Sequence, residues 1–221
     1  KSYLKKIVIK GASKYLIAEE RAAKSLRKIV PQKPIFPYYF SSLSEEDLRT
    51  HEKTMMKSQR EGFILVVGQY YPYKGLDVAL EAAKTLPNYN FKFVGMGKRT
   101  KNFISDTHAD EMRNIQVIPF LQKNELENEY KKCRMLVLPT RQECWGLVVN
   151  EAASFGAPVV STSGSGAAIE FLFDKYPFLL AKPGDSHDLA NVISAAYNMK
   201  MTEQYSHYLI ETSKKYSIEY S

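Results

Sequence analysis

Two carboxylates, Glu143 and Glu151, stand eight positions apart in PTRQECWGLVVNEAASFGAPVV (139–160), with Trp145-Gly146 between them and a helical apolar pattern around the second. An acid just before a helix and another inside it can grip something polar across the helix N-terminus. There the backbone amides lack intrahelical partners and carry partial positive charge. The amides of Gly146 and Leu147 would then face an anion. Glu151, about five residues along and ~7 Å up the axis at ~1.5 Å per residue, would accept hydrogen bonds from a vicinal diol such as that of ribose. Glu143 would bond hydroxyls on the far side of the anion. A plainer reading gives Glu143 to the helix dipole and Glu151 to solvent. Against it, Leu147, Val148, Val149, Ala152 and Ala153 leave little polar face around Glu151.

Three further segments carry chemistry of the same kind. In GQYYPYKG (68–75), Gly68 permits close backbone approach and Lys74 offers a point charge for phosphate at a helix entrance. By itself the segment reads better as an ordinary strand–helix turn with a surface lysine. The Gly-x-Gly of VGMGKRT (94–100) reads as a tight turn rather than a cleft lining. STSGSGAAIEFL (161–172) either closes over a sugar or is a flexible connection. Cys144, Trp145 and the YYPY tyrosines have packing roles as good as functional ones, and Cys144 has no base near it in sequence to activate the thiol. His51, His108, His187 and His207 are scattered without metal-ligand spacing, so no metal site is expected; separately, no cofactor is expected.

The elements that must position these residues follow from hydrophobic period. FILVVGQ (63–69), FKFVG (91–95), IQVIPF (115–120), RMLVLP (134–139), PVVST (158–162) and FLLA (178–181) read as strands. Between them lie helical stretches, among them GLDVALEAAKTL with Leu76, Ala79, Leu80 and Ala83 on one face, and KNELENEYKKC (123–133). The segment around 167–173 follows, and a helix from about Asp185 to Met199 is capped by Asp185 or Ser186. Continuously apolar strands separated by helices predict an α/β fold, a Rossmann-like doubly wound parallel sheet. In such a sheet, ligands bind at the carboxyl ends of the strands, where every candidate above falls.

Residues 1–61 read as the end of a preceding domain plus a linker. SYLKKIVI is basic and amphipathic, KYLIA (14–18) a strand, ERAAKSLRKIV a helix, and PQKPIFPYYF, with three prolines, an extended linker. SSLSEEDLRTHEKTMMKSQRE reads as a helix capped near Ser44, with Asp47 three residues on. Residues 62–221 form the second domain, which stops within a Tyr-rich helical tail and is expected to be truncated there. The net charge of +7 is concentrated at the start: residues 1–33 hold ten Lys/Arg against two Asp/Glu, and the rest 21 against 22. That placement argues against a nucleic-acid binder, whose charge would cover the recognition domain. Two cysteines imply no disulfide framework, and no apolar run approaches a membrane span, so a cytoplasmic setting is expected.

Together these segments resemble the group 1 (retaining) glycosyltransferase family, specifically the C-terminal nucleotide-sugar domain of its two-domain GT-B fold. The resemblance covers about residues 62–200. It rests on VVGQYYPYKGLDVALEA, FVGMG, PTRQECWGLVVNEAASFGAPVVSTSGSGAAIE and KPGDSHDLA. It implies a retaining hexosyltransferase of polysaccharide biosynthesis, using a UDP- or GDP-linked sugar and a saccharide or lipid-linked acceptor. By resemblance, Lys74 and Glu143 are the catalytic pair. Lys74 would neutralise the donor diphosphate, Gly146 and Leu147 would hold the distal phosphate, Glu143 the transferred sugar and Glu151 the ribose. Phe120 and Leu121 would lie against the base, with Gly68, Gln69 and Trp145 completing the donor site. Gln69 stands where the family usually has arginine, so a second phosphate cation is missing from its expected place. The acceptor, and any catalytic histidine, would belong to the preceding domain, and this chain by itself is expected to transfer nothing. By the same resemblance the basic residues 1–33 fit peripheral contact at the inner face of the membrane, and equally a solvated helix face of the preceding domain. A non-catalytic nucleotide-binding or scaffold module derived from this fold stays open beside that reading. A sugar-nucleotide epimerase is a third alternative, expected to carry more acid/base groups than are found.

Overall fold

Parallel strands and helices alternate from Phe63 to Ala181 in a computed structural model that describes residues 11–18, 20–55, 60–199 and 203–219. The chain divides into two compact units, with the break between Phe40 and Ser41. In the first, strands β1 (Tyr15–Ala18) and β2 (Ile35–Tyr38) pair in parallel from Tyr15↔Ile35 to Ala18↔Tyr38, joined by helix α1 (Glu20–Arg27). This corrects the extended linker expected over 31–40. Proline is depleted in sheets because it cannot donate to a ladder. In a two-stranded sheet, however, alternate amides of each strand point away from the partner, so Pro37 is accommodated. The basic segment 3–8 lies outside the described residues.

The second unit begins at Ser41 and so includes helix α2 (Glu45–Met55), which a boundary at 61 assigns to the preceding piece. Its start is the expected capping box. The Ser44 amide donates to Asp47 Oδ2 at 2.9 Å, and the Asp47 amide to Ser44 Oγ at 3.1 Å. These bonds, the backbone one foremost, hold the Asp47 carboxyl below its ordinary pKa.

Six strands form the main sheet: β3 (Phe63–Val67), β4 (Asn90–Val94), β5 (Ile115–Ile118), β6 (Met135–Leu138), β7 (Val159–Thr162) and β8 (Leu180–Ala181). All pairs are parallel, in the spatial order β5-β4-β3-β6-β7-β8. Every residue of β3, β6 and β7 is buried, as a sheet covered on both faces requires. Helix α3 (Leu76–Lys84) follows β3, and α4 (Thr100–Thr107) follows β4. Helix α5 (Lys123–Lys132) leads into β6, and α6 (Leu147–Ser154) follows it. Then come α7 (Gly166–Leu172), α8 (Ser186–Asn198) and α9 (Glu203–Lys214). Leu76, Ala79, Leu80 and Ala83 are buried, and α3 packs against α8. Helix α6 is enclosed by α2, α5 and α9. No helix among the described residues is long and apolar enough to cross a membrane.

Arg60 ties the far end of this layer together. Its guanidinium donates to the carbonyls of Tyr130, Lys131, Cys133 and Phe155 at 2.7–3.3 Å, where α5 and α6 end and their last carbonyls lack helical partners.

Candidate functional site

The strand order reverses between β3 and β6. The chain leaves β3 toward β4 on one side and leaves β6 toward β7 on the other, which makes the carboxyl ends of β3 and β6 the topological switch point, where open parallel sheets bind ligands. Residues 68–75 follow β3 and residues 139–146 follow β6. Both loops are pinned. The carbonyl of Tyr73 accepts from the Arg141 amide at 2.8 Å and from Thr140 Oγ1 at 2.9 Å. Arg141 grips both Asp77 oxygens at 2.8 and 2.6 Å and donates to Pro72 O. The guanidinium beside Asp77 holds that carboxyl below its ordinary range, and the carboxylate raises Arg141 in return. Gly75 sits at φ +70°, and a Cβ there would stand 2.1 Å from the carbonyl oxygen of Pro139. Only glycine lets the loops approach this closely.

This clamp places Lys74 and Glu143, 69 positions apart in sequence, in contact: Lys74 Nζ donates to Glu143 Oε2. Their side chains are 23% and 18% exposed, neither dry nor freely solvated. Glu143 is fixed through its backbone too, the amide donating to Gly164 O at 2.8 Å. That bond, with Ser165 Oγ on Trp145 O at 2.7 Å, ties the segment 161–172 to the loop after β6. Gly146 caps α6 with φ +106° and no side-chain capping bond, so the amides of its first turn have no capping side chain. Leu147 beside it is exposed.

Gln69 is exposed on the β3 loop, and its carbonyl accepts from the Tyr71 amide. Gly68 donates to Val94 O on the neighbouring strand, and β3 ends at Val67, two residues before the expected boundary. The Gly-x-Gly after β4 is a turn as read, with Gly97 opening a 3-10 turn at Gly97–Arg99. Phe120 is 62% exposed beyond β5 and Leu121 is half-buried. Trp145 is 2% exposed. Its indole Nε1 donates to Asn150 Oδ1 at 3.0 Å and its ring meets Tyr216 edge-on. The side chain expected among the donor contacts is therefore committed to packing, because an indole this large is best used by burial.

Glu151 engages a different set of groups. Ser42 Oγ donates to its Oε1 at 3.0 Å and Tyr130 OH to its Oε2 at 2.9 Å. The carboxylate borders a cavity of about 210 Å³ that Leu43, His51, Leu126 and Phe155 also line. The sequence reading missed Arg141, Tyr130 and Ser42. Arg141 stood in a quoted motif without a visible partner, and Tyr130 was one aromatic on a polar helix.

The sequence profile of the family Glycosyl transferases group 1 matches residues 49–216. The chain belongs to the group 1 glycosyltransferases. Among its relatives is an uncharacterized glycosyltransferase of Methanocaldococcus jannaschii, 31% identical over 159 residues, a match covering 72% of this chain and 44% of that protein. In fold the chain is similar to the sucrose-phosphate synthase of Thermosynechococcus elongatus, with TM-score 0.74 and 17% identity over 98% of this chain and 57% of that one. It is also similar to HepE of Anabaena, solved with UDP and glucose, with TM-score 0.69 and 16% identity over 93% of this chain and 59% of that one. These likenesses give the sheet and its helices the architecture of GT-B glycosyltransferases. The chain spans less than half of the archaeal relative's length.

Proposed function

We propose that this group 1 chain is the donor-binding half of a retaining hexosyltransferase that uses a UDP- or GDP-linked sugar. The observation that carries the reading is the meeting of Lys74 and Glu143 at the switch point, in front of the uncapped N-terminus of α6. In the transfer, the bond between the anomeric carbon and the diphosphate oxygen breaks, and a new bond forms to the acceptor hydroxyl oxygen. Negative charge grows on the departing diphosphate, and fixed charges aimed at it stabilise the transition state without reorganisation. Lys74 and the amides of Gly146 and Leu147 supply that field. Glu143 holds hydroxyls of the transferred sugar, Glu151 holds the ribose diol, and exposed Phe120 lies against the base with Leu121. The similarity to a structure solved with UDP and glucose supports a nucleotide-sugar donor.

The acceptor, saccharide or lipid-linked, is held by a preceding domain. That domain also supplies any base for the acceptor proton, so this chain alone binds donor without turnover. The ten Lys/Arg among residues 1–33 extend the proposal to peripheral contact with the inner face of the membrane. Calorimetry against UDP, GDP, ADP and the free nucleosides tests the donor reading. Lys74→Ala is expected to weaken the preferred diphosphate about tenfold or more, the scale of a charge-assisted bond, and to leave the nucleoside unchanged. Equal losses for both, or no diphosphate binding by the parent chain, would remove the proposal.

A further inference from the structure

Glu151 is the one acid of the candidate site whose two oxygens are both engaged by protein hydroxyls. A carboxylate offers about four lone-pair positions. Ser42 takes one on Oε1 and Tyr130 one on Oε2, which leaves acceptor capacity on both oxygens of a carboxylate that borders the same cavity as its two donors. Two adjacent acceptors on one planar group match the two hydroxyls of a cis-diol. We infer that Tyr130 and Ser42 are positioning residues that lock the Glu151 carboxylate in the orientation that accepts a ribose 2′,3′-diol. The inference rests on the donor reading given above.

Both donors are themselves held rigidly. Tyr130 is 1% exposed, and its ring lies nearly parallel to that of Phe155 at 6.3 Å. Burial first, and then the Glu151 charge, keep its phenol well above its ordinary pKa, so it remains a donor at every working pH. Ser42 stands in a segment fixed on both sides. The Leu43 amide donates to Ser41 Oγ at 3.1 Å, Leu43 O accepts from Ile218 N at 2.9 Å, and the Ser44–Asp47 capping box follows. Leu43 itself is buried. Left without these two hydroxyls, a half-buried carboxylate would rotate about its terminal torsion, which is broad for glutamate, and the diol would have to order it on binding. Supporting groups of this kind hold a binding side chain in its productive geometry.

The test compares UDP with 2′-deoxy-UDP, and GDP with 2′-deoxy-GDP, by calorimetry on the whole chain and on its Tyr130→Phe, Ser42→Ala and Glu151→Gln variants. The parent chain is expected to prefer the ribonucleotide about tenfold, the effect of one hydrogen bond to a charged group. Tyr130→Phe and Ser42→Ala should each cut that preference to about threefold or less, while 2′-deoxy affinity stays within about twofold. A general loss of structure would lower both affinities together, so the ratio isolates positioning. If the parent shows no ribose preference, the assignment of Glu151 to the diol fails. If the parent and Glu151→Gln differ in preference but Tyr130→Phe and Ser42→Ala keep the parent ratio, the positioning inference alone is overturned.

Discussion

Replacing Glu143 by glutamine should change the affinities for a nucleoside diphosphate and for its sugar conjugate in opposite directions. Lys74 is occupied by Glu143, and an incoming diphosphate must take it from that partner. Exposed ion pairs contribute up to about 1 kcal/mol, and one with both partners mostly covered belongs at the upper end of that range. Glu143→Gln keeps the shape of the side chain and removes its charge, so Lys74 is released to the ligand. The diphosphate alone should then bind about fivefold more tightly, the equivalent of ~1 kcal/mol. With the sugar attached, the same change removes a charge-assisted hydrogen bond of about 1.5–3 kcal/mol. The net result is weaker binding of the conjugate, by about twofold to thirtyfold. Calorimetry with the preferred diphosphate and its sugar conjugate reads both numbers, and adding Lys74→Met closes the cycle. In that background the gain for the diphosphate should vanish, because no lysine remains to be released. An unchanged or weakened diphosphate affinity in Glu143→Gln would refute the competition, and the ion pair would then be a structural strut rather than part of the site.

Two further expectations concern the scaffold. His51 is buried, stacked on Phe155 with ring centroids 3.8 Å apart, and bonded through Nδ1 to Ser154 Oγ at 2.8 Å. Burial foremost pulls its pKa down to about 4, with Asp47 opposing and Lys131 and Lys123 adding to the fall. The unfolded chain therefore takes the proton first. Stability should be intact above about pH 6.5 and decline by up to about 3 kcal/mol as pH falls toward 4. Urea midpoints measured from pH 7.5 to 5 should show this slope, and His51→Gln should flatten it. Gly75→Ala should cost about 2–3 kcal/mol or more, since its Cβ would meet the Pro139 carbonyl at 2.1 Å as well as an unfavourable φ. Gly97→Ala, at φ +53° with open space around it, should cost only about 1 kcal/mol for the backbone alone. Equal costs by urea unfolding would show that loop approach is not what position 75 requires.

Much of the architecture was legible because it is written in short-range pattern. The apolar runs at 63–67, 135–138 and 159–162 announced buried parallel strands, and the Ser44–Asp47 and Asp185–Asp188 caps are contacts three residues apart. Where the reading slipped, a local rule met a tertiary exception. The prolines of 31–37 suggested a linker, yet Ile35–Tyr38 found a partner in Tyr15–Ala18. For Trp145, which reads as well for packing as for function, the fold supplied the packing partners, Asn150 and the Tyr216 ring.

The sequence by itself determined the alternation of strand and helix, the caps, and which residue types stand at the strand ends, because periodicity and capping act within a few residues. Only the folded chain decided that Lys74 lies on Glu143, Arg141 on Asp77, and Ser42 with Tyr130 on Glu151, across separations of 69, 64, 109 and 21 positions. Those pairings depend on the spatial order of the strands, which is set by how the two helical layers bury the sheet, and hydrophobic period is blind to that order.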